Sequence, residues 1–206
     1  MRTLLFFFSV FSFCAMNGQK LIKKAFINPE TQFIQIDSQN CYKVSIGTSK
    51  KEEVTIAGSM EGEYSKDLLV TIEQKGATVL ISTGFQPNFT NPNDKLSAHK
   101  VISIELNISL PEYKDVSVYG TNCNVLAEGD YKRLKIKLAD GTCSLENVGE
   151  TVEVNTQKGN IFLSTSNGDV VAKSTYGEVR RETIPKGDNV FVLNTVEGNI
   201  YLKKTK

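Results

Sequence analysis

The stretch Val152-Glu153-Val154-Asn155-Thr156-Gln157-Lys158-Gly159-Asn160-Ile161-Phe162-Leu163 decides the fold class of this 206-residue chain. It returns closely at 191–202 as FVLNTVEGNIYL and loosely at 172–179 as AKSTYGEV, with weaker copies at 134–145 and 116–125. Glycines recur every 18 to 21 residues, at Gly120, Gly141, Gly159, Gly177 and Gly198. A repeat of this length with strand-like alternation predicts an all-β solenoid resembling a β-helix, in which stacked copies bury one another's apolar faces.

Each copy predicts two short strands joined by a turn. Side chains alternate between the two sides of a strand, so the pattern places four residues in the core: Val152, Val154, Ile161 and Leu163. The turn is expected at Asn155, Thr156 and Gly159. Glu153 and Lys158 are expected on the outer surface. Around 170–172 and 190–193 the pattern leaves the inward side open, because a slip of one residue would exchange the two faces.

Stacking at about 4.8 Å would align equivalent side chains of successive copies. Two ladders are expected at the turn, one of Asn155, Ser174 and Asn194 and one of Thr156, Thr175 and Thr195. A second glycine followed by an acid closes each copy, which would align Asp130, Glu150, Asp169 and Asp188. Such a column could attract a cation, but Asp is also common after glycine in turns, and the turn interpretation is favoured.

The first 18 residues predict a secretory signal peptide. A short basic start is followed by an apolar run from Leu4 to Phe13 and by small residues ending at Gly18. The run is too short for a membrane helix, and no later segment is long and apolar enough for one. Residues 19–206 are therefore expected to form one exported domain, less regular over 19–110 and repetitive over 111–206. Cys14 leaves lipidation open, although Phe13 is bulky for a lipoprotein signal.

Composition narrows the classes of partner and chemistry. The chain has 24 basic and 23 acidic residues, which implies neither nucleic acid nor an anionic membrane surface as partner. His99 is the single histidine, in an irregular polar stretch at 83–100, which excludes histidine-based metal sites and triads. The pattern supplies no catalytic, cofactor-binding or metal-binding residue.

Three cysteines follow the predicted leader: Cys41, Cys123 and Cys143. Cys123 and Cys143 precede Val125 and Leu145 by two residues, which are the positions of Ile161 and Ile200 in later copies. Both are therefore expected in the core of adjacent copies. Two buried thiols are favoured, with a disulfide between them as the alternative.

The order of motifs along the chain resembles that of the proposed auto-transporter adhesin families of exported bacterial proteins (DUF4097-like and DUF2807-like head domains). The matching phrases, in order, are Phe33-Ile34-Gln35-Ile36, Val44-Ser45-Ile46-Gly47, Leu69-Val70-Thr71-Ile72, Ile108-Ser109-Leu110-Pro111 and the glycine-punctuated copies after Tyr113. The resemblance covers nearly all of the predicted mature chain. It implies a β-solenoid located in the cell envelope or at the surface, and it carries no catalytic residues.

These observations predict a non-enzymatic, adhesin-like binding or structural scaffold. Its location is expected to be the periplasm, the outer-membrane surface or the extracellular space, and its partner an envelope or surface protein or glycan. A carbohydrate-active β-helix enzyme, either a polysaccharide lyase or a hydrolase, is the alternative, and a periplasmic structural component without a dedicated ligand is a third. The last copy, at 190–202, is followed by a lysine-rich tail and predicts weak self-association through an uncovered end. The alternative is that Lys203, Lys204 and Lys206 blunt this edge by charge repulsion.

Overall fold

The computed structural model describes residues 19–61, 68–87 and 103–205 and is all-β, with no helix in these ranges. The predicted signal peptide, Cys14 and His99 lie outside them. Fifteen strands belong to one hydrogen-bonded sheet. The first seven are β1 Gln19–Phe26, β2 Phe33–Asp37, β3 Lys43–Ser49, β4 Glu53–Glu61, β5 Leu68–Lys75, β6 Thr78–Phe85 and β7 Ser103–Pro111. The others are β8 Asp115–Asn122, β9 Asn124–Asp140, β10 Cys143–Lys158, β11 Ile161–Thr165, β12 Asp169–Ser174, β13 Val179–Arg181, β14 Val190–Glu197 and β15 Ile200–Lys204.

The sheet folds into two layers that share one core. Layer A runs, in order of hydrogen-bonded neighbours, through β5, β6, β2, β8, the second half of β9, the second half of β10, β14 and β12. Layer B runs through β1, β4, β7, β3, the first halves of β9 and β10, β11, β15 and β13. In the spatial order just given, every neighbouring pair of layer A from β6 to β12 is parallel, and so is every neighbouring pair of layer B from β7 to β13. Antiparallel strands are confined to the end formed by β1, β4, β5 and their neighbours.

β9 and β10 each cross from one layer to the other at a bend. Gly129 in β9 has φ of 107°, and Glu150 in β10 has φ of 64°. Left-handed backbone is readily adopted by glycine and uncommon elsewhere, so these residues mark the corners where each strand turns around the core. The register of β10 on β9 shifts at the same corner, between Glu146 and Val148 and again between Glu150 and Thr151.

The order of strands in the stack differs from their order in the chain. The last unit, β14 and β15, lies between the β10–β11 unit and the β12–β13 unit, and it pairs with both. β2 likewise lies between β6 and β8, and β3 lies between β7 and β9. The prediction that residues 190–202 form an uncovered end, through which the protein self-associates, is therefore wrong. Residues 169–181 occupy that end.

The predicted core register of the central copy is confirmed, since Val152, Val154, Ile161 and Leu163 are all fully buried. Lys158 is exposed as expected, but Glu153 is half-buried because its carboxylate is held by neighbouring side chains. The predicted turn begins too early. β10 continues through Lys158, and Thr156 is buried. The open register of the last copy is settled by Phe191 and Leu193, which point inward.

Four of the five recurrent glycines form a column at one corner of the stack. In stacking order they are Gly141, Gly159, Gly198 and Gly177. A Cβ on Gly159 would overlap the carbonyl oxygen of Gly141, and one on Gly198 would overlap that of Gly159. The glycine period therefore exists because successive backbones approach too closely for a side chain. Gly120 lies outside the column and pairs with Leu138.

Asparagines next to these glycines link the units through the backbone. The Asn160 side-chain oxygen accepts the Asn199 N–H at 2.8 Å, and the Asn199 side-chain oxygen accepts the Glu178 N–H at 2.8 Å. Asn124, which follows Cys123 instead of a glycine, does the same for the Thr142 N–H at 2.9 Å. These bonds satisfy backbone donors at the corner, where strand pairing is interrupted. The repeated Gly-Asn pair was the sequence signal for this ladder.

The three described cysteines are free and buried. Cys143 pairs with Val125 and with Ile161, as its position in the repeat predicts. Cys123 instead lies two residues before Val125, at the corner against Gly141. Both Cys123 and Cys143 lie in the core, so the favoured interpretation of two buried thiols is confirmed. The expected equivalence of the two positions is wrong, because Val125 and not Cys123 pairs with Cys143, and the disulfide alternative is wrong because both thiols are free.

Candidate binding surface

The outward side chains of four adjacent layer A strands form a polar surface in the repetitive region. We call it the ladder surface and define it by Arg133, Lys135 and Lys137 of β9, Glu153 and Asn155 of β10, Asn194 of β14 and Lys173 of β12. One row crosses all four strands in direct register: Lys137, Asn155, Asn194 and Lys173. Parallel pairing without a bulge places these side chains one strand spacing apart, about 4.8 Å between neighbours.

Hydrogen bonds fix the polar groups at the centre of the ladder surface. The Lys135 Nζ donates to Glu153 Oε2 at 2.9 Å, and the Asn155 Nδ2 donates to Glu153 Oε1 at 2.8 Å. The Asn194 Nδ2 then donates to Asn155 Oδ1 at 3.2 Å. The bond from Lys135, followed by that from Asn155, lowers the pKa of Glu153, against the opposing effect of partial burial. The carboxylate and amides are therefore oriented before any ligand arrives.

The ladder surface carries more positive than negative charge. Arg133, Lys135 and Lys137 lie at alternate positions of β9. Lys173 lies on the same surface on β12, with β10 and β14 between it and β9. Only Lys135 forms an ion pair with another described residue, at 2.9 Å from Glu153. The other three cations are exposed. Their charge is therefore available to an anionic partner, and it attracts such a partner over about 8 Å at physiological salt.

Two shallow grooves run over this surface. One has a volume of about 610 Å³ and is bounded by Lys137 and Lys173, with Asn155 and Asn194 on its floor. The other has a volume of about 480 Å³ and is lined by Phe33, Arg133, Lys135 and Glu153, among others. Their volumes are those of ligand sites, but both grooves are open to solvent. Such grooves fit an extended chain lying across the strands.

Layer B presents an aromatic pair on its outer face. The rings of Phe162 and Tyr201 stack with centroids 4.7 Å apart, and the Arg180 guanidinium lies 5.8 Å from the Tyr201 centroid. Glu178 holds Arg180 at 2.9 Å. Both faces of the tyrosine ring are thus occupied by protein groups. A sugar that stacks on an aromatic face has no access to it there.

The acid column expected from the sequence does not form. Asp130 pairs with Gly149, Glu150 pairs with Tyr131, and Asp169 pairs with Val190. Asp188 lies outside the strands. The register shifts at the β10 corner and the intercalated last unit separate the four residues, which stay at turns. Within 19–61, 68–87 and 103–205, no three metal-ligating side chains come together.

Both expected ladders form, and each has one member that differs from the prediction: Lys173 replaces Ser174 in the first, and Ser174 replaces Thr175 in the second. Asn155 and Asn194 pair as predicted, and so do Thr156 and Thr195. The third copy is shifted by one residue, because Lys173 pairs with Asn194 and Ser174 pairs with Thr195. Asn155 and Asn194 each precede a column glycine by four residues, and Lys173 stands four residues before Gly177. Alignment on the glycine would have identified Lys173.

The described part of the chain contains no helix with the length and apolar character needed to cross a membrane.

Comparison with known proteins identifies a fold and not a family. No protein-family model and no curated sequence matches the chain. Among solved structures, a proposed cell adhesion protein of Clostridium sporogenes is similar at a TM-score of 0.54, with 16% identity over 91% of this chain and 100% of that one. A proposed adhesin of Bacteroides fragilis covers 91% of this chain and 97% of its own at 12% identity, with a TM-score of 0.32. The first of these likenesses, spanning nine-tenths of the residues, shows that the chain shares the fold of the Clostridium sporogenes protein.

Proposed function

We propose that this protein is an exported, non-enzymatic, adhesin-like scaffold that binds an acidic surface glycan along the ladder surface. One observation carries the proposal: Lys137, Asn155, Asn194 and Lys173 form a straight row across four strands, with cations at both ends and oriented amides between them. Amides and hydroxyls suit sugar hydroxyl groups, and the lysines suit carboxylate or sulfate groups. The fold shared with a proposed cell adhesion protein is consistent with this role.

The scaffold is proposed to be a short two-layered β-solenoid. The parallel register between successive units and the glycine column support this assignment. In such a stack each unit contacts only its neighbours, so a flat surface can be extended without a long-range change in the core. The leader predicted at residues 1–18 supports export to the periplasm, the outer-membrane surface or the medium.

Binding of residues 19–206 to immobilised polymers tests the proposal. The probes are polygalacturonate, hyaluronan and chondroitin sulfate, with dextran as the neutral comparison and poly-glutamate as an anionic peptide. We expect binding to an acidic glycan that weakens with added salt, and at least about a tenfold loss in the Lys137→Glu/Lys173→Glu double variant.

The Lys50→Glu/Lys203→Glu double variant is the matched control, because it makes the same charge change at exposed sites away from the ladder surface. It should bind as the unaltered protein does. Equal binding to dextran, binding of poly-glutamate alone, or no binding to any acidic glycan would contradict the proposal.

The enzyme alternative receives no support from the described residues. Glycoside hydrolysis requires two carboxyl groups facing each other across the scissile bond. The acids that the repeat seemed to align are separated at turns, and Glu153 is engaged by Lys135 and Asn155.

A further inference from the structure

The β12–β13 unit is the last in the parallel stack, and residues 182–187 cover only part of this end: the Gly168 N–H donates to Pro185 O at 2.9 Å, and Ile184 packs against the core. Among the described strands, β12 pairs only with β14, and β13 pairs only with β15. Its inward residues Val170 and Ala172 are half-buried, whereas the equivalent Phe191 and Leu193 of the next unit are fully buried. A cavity of about 340 Å³, lined in part by Val170 and Ile184, opens at this end. Outside, the Val171 side chain is 58% exposed.

The free edge of β12 has a defined hydrogen-bonding pattern. The Asp169 N–H donates to Asn189 O at 2.7 Å, and the Thr175 N–H donates to Thr195 O at 3.1 Å. Backbone groups of successive residues point to opposite edges of a strand, so odd-numbered residues use the β14 side. The N–H and C=O groups of Val170, Ala172 and Ser174 therefore point to the open edge. Unpaired edges of this kind are templates for a further strand.

The outward side chains of β12 are complementary to their own reversed copy. Asp169, Val171 and Lys173 point outward, and all three are exposed. Neither Asp169 nor Lys173 forms an ion pair with another described residue. We propose that β12 pairs antiparallel with β12 of a second copy, centred on Val171, so that Asp169 faces Lys173 of the second copy and the two valines face each other.

This register agrees with the backbone as well as with the charges. Centring on Val171 places Val170 opposite Ala172 of the second copy, and both residues point their backbone groups at the shared edge. They form the hydrogen-bonded pairs. Val171 and the Asp169–Lys173 pairs then occupy non-hydrogen-bonded positions, where the Cα atoms are about 4.5 Å apart and side chains are closest. The two-fold arrangement forms each charge pair twice and closes on itself as a dimer.

The dimer would join layer A of one copy to layer A of the other in one continuous sheet. Because β12 borders the ladder surface, two copies of that surface would lie side by side across the new strand pair. A polymeric ligand could then contact both, and the second contact would be intramolecular. The pairing itself needs no ligand, so it can be tested independently of the glycan proposal.

Sedimentation equilibrium of residues 19–206 without any polymer is the test. We expect a monomer–dimer equilibrium with a dissociation constant below about 1 mM. Lys173→Glu and Asp169→Lys should each weaken it by about tenfold or more, because each replaces two attractive pairs with two repulsive ones. An equimolar mixture of the two variants should dimerise again, since Asp169 then faces Lys173 and Glu faces Lys at the exchanged positions.

Lys50→Glu is the control and should leave the equilibrium unchanged, as it alters charge at an exposed turn far along the sequence from β12. Circular dichroism of each variant confirms folding. A strict monomer at 1 mM, species larger than a dimer, an equilibrium indifferent to both charge reversals, or a mixture that stays monomeric would overturn the proposal.

Discussion

Glu153 is the residue on which the hydrogen bonds of the ladder surface converge. Its carboxylate accepts from Lys135 and Asn155, and Asn155 in turn accepts from Asn194. Removing this acceptor would free the Lys135 ammonium and the Asn155 amide together. The geometry of the row Lys137, Asn155, Asn194 and Lys173 thus depends on a residue that lies beside the row.

The pKa of Glu153 gives a pH-dependent prediction. Chiefly through the Lys135 hydrogen bond, its pKa in the folded protein lies below the usual 4.5. The ionised form is therefore favoured by folding, and the stabilisation is complete above pH 4.5 and is lost as pH falls through the lowered pKa. Glu153→Gln should be less stable than the unaltered protein at pH 7, and this difference should disappear at low pH.

Urea denaturation at several pH values measures the difference. Glu30→Gln, which changes an exposed carboxylate, is the control and should show no such loss at pH 7. A stability difference for Glu153→Gln that is the same at pH 7 and below the lowered pKa would contradict the assignment.

Val154 tests the inward register of the repeat. Its side chain is fully buried among apolar neighbours, so Val154→Asp would place a carboxylate without a partner in the core. We expect a loss of at least about 3 kcal/mol in the free energy of unfolding, or failure to fold. Gln157→Asp on the same strand, at an exposed position, should stay within about 0.5 kcal/mol. Similar denaturation midpoints for the two variants would refute the register.

The cysteines make a prediction about reactivity. Burial raises the pKa of Cys41 and Cys143 to about 12 and that of Cys123 to about 11. Thiolate is the reactive form, so folded residues 19–206 should titrate with no rapidly reacting thiol at pH 8 and with three after denaturation. Fast labelling of any one in the folded state would show that its site is open to solvent.

At the scale of elements, the glycine column sets how closely the units stack. Gly159 combines φ of 120° with a backbone approach that a Cβ would block. Gly159→Ala should therefore cost about 2 kcal/mol or more. Gly84→Ala is the matched control, because no atom lies within 4 Å of the added Cβ there. Thermal unfolding compares them, and an equally small effect at both positions would argue against close stacking at Gly159.

The elements of the central copy could be predicted because alternation and glycine spacing are local signals. Val152, Val154, Ile161 and Leu163 were placed correctly on that basis. Lys173 is harder to place, because a lysine does not resemble Asn155 and only its distance of four residues from Gly177 marks the shared position. The ladder surface also escaped prediction, since its neighbours in space depend on which units pair. Nothing in β14 itself specifies β10 and β12 as its neighbours.

At the scale of the molecule, the intercalated last unit supports the one that precedes it in sequence. Within the part of the chain that the structure describes, β12 and β13 have no paired strand other than β14 and β15. A chain ending at residue 189 should therefore lose the structure of both units. Hydrogen exchange should show protected amides at Asp169 and Val171 in residues 19–206 and unprotected ones in residues 19–189. Retained protection in the shorter chain would show that β12 is held by something other than β14.

The same intercalation governs the time order in which the molecule can form. Asn155 must find Asn194, 39 positions away, whereas it lies 18 positions from its other neighbour, Lys137. A chain that emerges from the ribosome N-terminus first can build the stack unit by unit only as far as β10 and β11. The next segment to appear, 169–181, has no place to dock until 190–204 follows it. The last step of folding is therefore late and depends on contacts between residues distant in sequence. Until it occurs, β10 and β11 expose unpaired strand edges that can pair with other chains.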